Sequence, residues 1–215
     1  MSRPDVVGKL IATAAKAALL PLGCQRCGKS RTWISDQRFW LIVVEFQPSS
    51  FEKGSYLNVG AMWLWRARKG NAFNAGYRVA DFVPFYTPEQ FSSAATELAA
   101  KAAQEVQILR EKFRSLYDIY RYLMDHTSEK NWHIFHVAIA AGLVGDIETA
   151  RRLFRKSAEM PSRGTQWEIE LQAKNAALAA QLDQTDLFRS SVLAIIQECR
   201  LLNGLPEDLE CLDRA

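Results

Sequence analysis

The hydrophobic pattern changes period within the first forty residues, and the change separates helix from sheet. Val6, Val7, Leu10, Ile11, Ala14, Ala17 and Ala18 recur at helical spacing, which predicts an amphipathic helix from about Asp5 to Leu20, ended by Pro21-Leu22-Gly23. Runs rich in β-branched and aromatic residues follow: Arg31 to Ser35, Phe39 to Gln47 and Tyr56 to Trp65, the first two joined by a polar turn at Asp36-Gln37-Arg38. These predict antiparallel neighbours. In the second run Trp40, Ile42, Val44 and Phe46 share one face; in the third Leu57, Val59, Ala61, Trp63 and Trp65 do so. The opposite faces carry Phe39, Leu41, Val43, Met62 and Leu64, so the sheet is expected to be covered at least partly on both sides, by helices or by a second copy. A loop from Lys69 to Gly76 then leads to a short edge strand, Tyr77 to Phe85.

Thr87-Pro88-Glu89 opens a helix. Leu98, Ala102, Val106, Leu109, Phe113, Leu116, Tyr120 and Leu123 continue at three-four spacing, predicting one long helix or two abutting ones. Four further stripes predict helical hairpins: Trp132, Phe135, Ile139 and Leu143; Ile147, Ala150 and Phe154; Trp167, Leu171, Leu178 and Leu182; and Phe188, Val192, Ile195, Cys199 and Leu202. Thr165 with Glu168 fits a capping box, and Asn203-Gly204 before Pro206 fits a helix stop. Residues Ala140 to Phe154 resemble one tetratricopeptide-like helix pair, where a solenoid requires at least three. The expected fold class is α+β: a small antiparallel sheet packed by the N-terminal helix and a long central helix (residues 1–125), then a bundle of helical hairpins (126–215) that shares the core or forms its own.

Composition narrows the classes without choosing a function. With 48% hydrophobic and 24% charged residues the chain is globular rather than disordered. No apolar run approaches the roughly 20 residues needed to span a bilayer. The 27 Lys and Arg against 24 Asp and Glu leave a formal charge of +3, short of a dedicated nucleic-acid binder. Cys24, Cys27, Cys199 and Cys211 are too sparse for a disulfide scaffold, so free thiols in a reducing cytoplasm are expected. Leu22-Gly23-Cys24 superficially matches a lipoprotein cleavage site, but Lys9, Lys16 and Pro21 sit badly for that signal.

Gly23-Cys24-Gln25-Arg26-Cys27-Gly28-Lys29-Ser30 fits the phosphate-binding loop G-x-x-x-x-G-K-[ST] at every specified position. That chemistry needs the loop to leave a strand and enter a helix whose first amides hold the phosphates. Here a helix precedes the loop and a strand follows, and Leu41 to Glu45 comes too soon to be the returning strand of a crossover. A polar loop joining helix to strand is the plainer reading, with a nucleotide-handling enzyme using Gly28, Lys29 and Ser30 as the alternative. Cys24-x-x-Cys27 is half a zinc motif without its second half. His133 and His136 fit one helical face beside Asp125 and Glu129, with His126 off it if Asn131-Trp132 starts a new helix; they are weak metal candidates, and no metal or cofactor is expected.

Trp33, Trp63 and Trp65 with Arg31, Arg66, Arg68 and Lys69 place aromatics beside positive charge at the end of the sheet, the mixture that stacks bases or holds acidic partners. A tryptophan-rich core beside a solvated basic turn is the plainer alternative. Arg151, Arg152, Arg155 and Lys156 read as the wet face of a helix. No G-x-S-x-G, H-E-x-x-H or dinucleotide fingerprint occurs.

The segment Leu20 to Trp33, then Val44-Glu45-Phe46-Gln47-Pro48-Ser49 and Tyr56-Leu57-Asn58-Val59-Gly60, resembles the bacterial domain-of-unknown-function family four-three-zero-four over about residues 5–125. It departs from that pattern at Cys24, where an aromatic is usual, and in the helical extension after about Ser128. The resemblance implies an α+β fold and no activity. Within the matched strands Glu45, Gln47 and Asn58 are polar among apolar neighbours: they either line a cleft and orient a ligand or bond to bulged or edge backbone. The leading expectation is a non-catalytic binding module with a protein partner, in a bacterial defence or toxin-immunity setting. A nucleic-acid binder using Arg31, Trp33, Trp65, Arg66 and Arg68 is the alternative, and a homodimer is left open.

Overall fold

The computed structural model describes residues 5–126 and 128–213. It is α+β, and the chain falls into two compact units. Among the described residues the first comprises 5–63 together with Asn71–Lys112; the second comprises Leu64–Gly70, 113–126 and 128–213.

In the sheet unit, α1 spans Val6–Leu19. Asp5 caps it by accepting the Gly8 amide at 2.8 Å, and Val7, Ile11, Ala15 and Leu19 bury one side at four-residue spacing. A 3-10 turn at Leu20–Leu22 ends it, and Gly23 reverses the chain at φ +73°. Five strands lie in sequence order, every neighbouring pair antiparallel: β1 (Gln25–Arg26), β2 (Thr32–Asp36), β3 (Trp40–Gln47), β4 (Gly54–Trp63) and β5 (Ala75–Pro84). β1 is too short for any periodicity to reveal. The edge strand β5 begins two residues before the expected Tyr77, because Ala75 and Gly76 pair with Ala61 and Gly60 instead of closing a loop.

α2 (Pro88–Lys112) packs on α1 and on β3, β4 and β5. Its Arg110 donates to Ser35 Oγ at 2.8 Å and to the Leu22 carbonyl, while the Tyr77 hydroxyl donates to Glu105. Those contacts fix which sheet face it covers. Trp33, Ile42, Val44, Phe46, Leu57, Val59 and Ala61 lie on that face and are buried. Each large apolar side chain so buried contributes roughly 1.5–3 kcal/mol. On the opposite face Leu41, Val43 and Met62 are also buried, and the strip then turns polar at Glu45, Gln47, Asn58 and Arg78.

The helical unit contains α3 (Leu116–Asp125), α4 (Asn131–Leu143), α5 (Ile147–Glu159), α6 (Gln166–Ala179) and α7 (Thr185–Leu202). The long central stripe is two helices, because Ser115 caps α3 reciprocally with Asp118. Between α4 and α5, Gly145 takes φ +87° and Asp146 caps the Thr149 amide at 3.1 Å while accepting from the Tyr120 hydroxyl at 2.6 Å. The capping box of α6 forms as expected, with Glu168 Oε2 accepting from the Thr165 amide and hydroxyl at 3.0 and 2.8 Å. Three stripe positions differ: Trp167 at the start of α6 and Leu202 at the end of α7 are 44% and 41% exposed, and Ile196 rather than Ile195 takes the core place on α7. Among the described residues no helix is long and apolar enough to cross a membrane.

Candidate functional site

Strand register brings Glu45, Gln47 and Asn58 together, since Glu45 faces Asn58 across β3 and β4 and Gln47 lies two residues along on the same face. The Asn58 amide nitrogen donates to Glu45 Oε2 at 3.0 Å and to Gln47 Oε1 at 2.8 Å. Arg78, opposite Asn58 on β5, completes the group: it donates to Asn58 Oδ1 at 3.4 Å and Gln47 Oε1 at 3.3 Å, and its guanidinium lies 4.0 Å from the Tyr56 ring centroid. Asn58 spends both amide hydrogens on its neighbours, so the strip is a cross-strand brace. Arg78 and Tyr56 were not recognised from sequence; the signal was their place opposite or beside the amides in adjacent strands.

In the same unit a cleft of about 490 Å³ opens where the start of α1 meets the β3–β4 loop. Arg31 lies in its wall, held by both Asp5 oxygens at 2.9 and 3.1 Å and by the Gly54 carbonyl at 3.4 Å. Burial acts to raise the Asp5 carboxyl, but the Gly8 amide and Arg31 outweigh it and hold it below the usual carboxylate range. The loop is tied down: Ser49 Oγ accepts from the Phe51 amide at 3.1 Å, and the Phe85 amide donates to the Lys53 carbonyl at 2.9 Å. From it Phe51 projects 97% exposed, with Val6 and Phe85 also lining the cleft and Tyr86, 75% exposed, next to Phe85 in the chain. Phe51 was not singled out in the sequence, where a lone aromatic between polar residues carries no periodic signal.

The segment resembling a phosphate loop, Gly23 to Ser30, takes in the Gly23 turn, β1 and most of the turn into β2. Gly28 takes φ +56°, Ser30 Oγ donates to the Cys27 carbonyl at 2.7 Å, and Arg26 donates to the Ser30 and Lys29 carbonyls at 2.7 and 3.0 Å. Lys29 is exposed, and a strand follows where a phosphate loop needs a helix. Cys24 is buried, Cys27 half-buried, and burial pushes both thiols up. None of the four cysteines is in a disulfide.

The expected aromatic and basic sheet end is divided between the units. Trp33 is buried in the sheet unit. β4 stops at Trp63, two residues before the expected end, and Trp65 belongs to the helical unit. There it is fully buried, its indole N–H donating to His136 Nδ1 at 2.9 Å. The geometry therefore assigns His136 the tautomer with its proton on Nε2. Burial, then the charge of Arg66 and the nearby His133, push His136 down to about 3. Arg66 itself lies with its guanidinium carbon 3.3 Å from the Trp132 ring centroid, and Trp167 stands 6.1 Å from Trp132. Arg68 is half-buried, its carbonyl accepting from Asn203 Nδ2 at 2.8 Å.

His126 stacks on Tyr122 at 4.0 Å, whereas His133 lines a cavity of about 300 Å³ among α3, α4 and α5 with Leu123, Ile134, Val137, Arg152 and Lys156. Among the described residues no three His, Cys, Asp or Glu side chains converge as a metal site. On the basic face of α5, Arg151 pairs with Asp183 at 2.7 Å and Lys156 with Glu129 at 3.2 Å. No family model, no curated protein and no solved structure matches the chain.

Proposed function

We propose that this chain is a non-catalytic binding module that takes a protein partner at the cleft between the start of α1 and the β3–β4 loop, with Phe51 as the anchor. The observation that carries this reading is an aromatic ring 97% exposed on a loop that hydrogen bonds hold in place. A single exposed apolar residue is ordinary; one standing over a concave surface with Val6 and Phe85 in its lining is the arrangement of an interface hot spot. The Arg31–Asp5 pair supplies a polar rim. A reducing cytoplasm suits four cysteines with no disulfide among them.

The test is photo-cross-linking in the native cell with benzoylphenylalanine at position 51, and at Leu201, 80% exposed on α7, as the comparison site. A discrete adduct at 51, absent at 201 and lost when Arg31 is replaced by Ala, is expected. Equal labelling at the two positions would refute the reading.

A further inference from the structure

We propose that Arg66 and Arg68 form an oxyanion-binding site in the helical unit whose ligand is a phosphate group. The site is separate from the cleft beside Phe51, and the inference goes beyond the reading given there.

Both arginines are half-buried, and among the described residues neither side chain has a carboxylate partner or a hydrogen bond. Other well-packed arginines are committed: Arg31 to Asp5, Arg110 to Ser35 and Leu22, Arg200 to the Pro206 carbonyl. Withdrawing a cation from water without a counter-charge is unfavourable, and withdrawing two that repel each other is more so. The repulsion is present: burial first, and then the charge of Arg68, pull Arg66 down to about 10. An anion between them would remove both penalties.

Geometry favours phosphate among anions. Stacking on Trp132 fixes the plane of the Arg66 guanidinium and leaves its N–H edge for an acceptor, and a planar fork suits two oxygens of a tetrahedral oxyanion. The exposed ring of Trp167 beside Trp132 offers an aromatic surface of the kind on which a base stacks. The segment is also held before any ligand arrives. Trp65 is fixed by His136 at one end, and at the other Asn203 accepts the Gly70 amide and donates to the Arg68 carbonyl, each at 2.8 Å. Little chain ordering is left for binding to supply.

Two probes test this at about 50 mM salt with full-length protein: pyrophosphate, followed by tryptophan fluorescence, and a fluorescein-labelled single-stranded DNA of about 12 nucleotides, followed by anisotropy. Pyrophosphate is expected to bind and to displace the strand, with Arg68→Gln weakening either probe about tenfold or more. Arg66→Lys keeps the charge but loses the fork and is expected to weaken binding as well. For the strand, the slope of log affinity against log salt becomes shallower by about 0.7 when Arg68 is removed. Binding of the strand alone assigns the phosphate to a polynucleotide, and binding of pyrophosphate alone assigns it to a small phosphorylated molecule; either supports the site. Absence of binding by both probes at millimolar concentration overturns it, as does binding that Arg68→Gln leaves unchanged. Because Arg66 packs on Trp132, melting temperatures accompany each variant, and Arg68→Gln decides the matter if Arg66 variants unfold.

Discussion

Acid should destabilise the helical unit through one ring. His136 Nδ1 is the acceptor for the buried Trp65 indole N–H, so a proton placed there sets donor against donor at 2.9 Å. The folded ring titrates at about 3, against 6.5 when unfolded. Because the folded value is the lower, the neutral ring's contribution is complete above pH 6.5 and drains away as the pH falls toward 3. At about pH 5 the unfolded ring has taken up its proton and the folded one has not. The loss over that interval is about 1.5 pH units at about 1.36 kcal/mol each, or about 2 kcal/mol. Urea unfolding at about pH 7 and about pH 5 measures it, with His136→Gln as the comparison, since a glutamine oxygen can still accept from Trp65. Carboxylate effects common to both proteins cancel in the difference. The wild type should lose about 2 kcal/mol more than the variant between the two conditions. Parallel losses would refute the claim that His136 is held neutral by its surroundings.

Two packing predictions accompany it. Gly142 on α4 has no room for a methyl group, which would stand 2.6 Å from the Phe188 ring of α7. Gly142→Ala should therefore destabilise by roughly 1–3 kcal/mol in chemical denaturation despite the better helix propensity of alanine, and Phe188→Leu should recover part of the loss. Arg110→Met removes the donor to the Leu22 carbonyl and one of the two donors to Ser35 Oγ, the other being Gln37, and should lower stability by about 1.5–3 kcal/mol, read from the denaturant midpoint.

The sheet was legible because its information is local. Alternation over β3 and β4 marks the faces, and the polar turn at Asp36–Arg38 sets the pairing of β2 with β3; the register that puts Glu45 opposite Asn58 is set across the β3–β4 loop and is not written in the alternation. The same alternation misleads at Trp65, which keeps the period of β4 while its partner, His136, is 71 residues away. Nothing in a short window distinguishes a tryptophan continuing a strand from one leaving it. Arg78 escaped notice for a similar reason: a bulge near Leu57 shifts the register of β4 against β5, so counting from the turn misplaces it. The break between α2 and α3 was written in Ser115 and Asp118, but the apolar stripe runs through it and masks the cap. Trp167 shows the converse, a residue that fits the stripe of its helix yet lies beyond the depth of its packing.

The division of the chain also bears on how such a protein can be cut, fused or recombined. Its path passes from one unit to the other after Trp63, after Gly70 and after Lys112, so no single breakpoint releases either unit whole. A fragment ending at Lys112 keeps Trp65 and discards the imidazole that accepts its N–H; one beginning at Phe113 keeps the imidazole and discards the indole. A gene segment encoding the helices is therefore not a portable cassette unless Leu64–Gly70 travels with it, and a chimera that swaps the helices alone inherits a tryptophan with no counterpart.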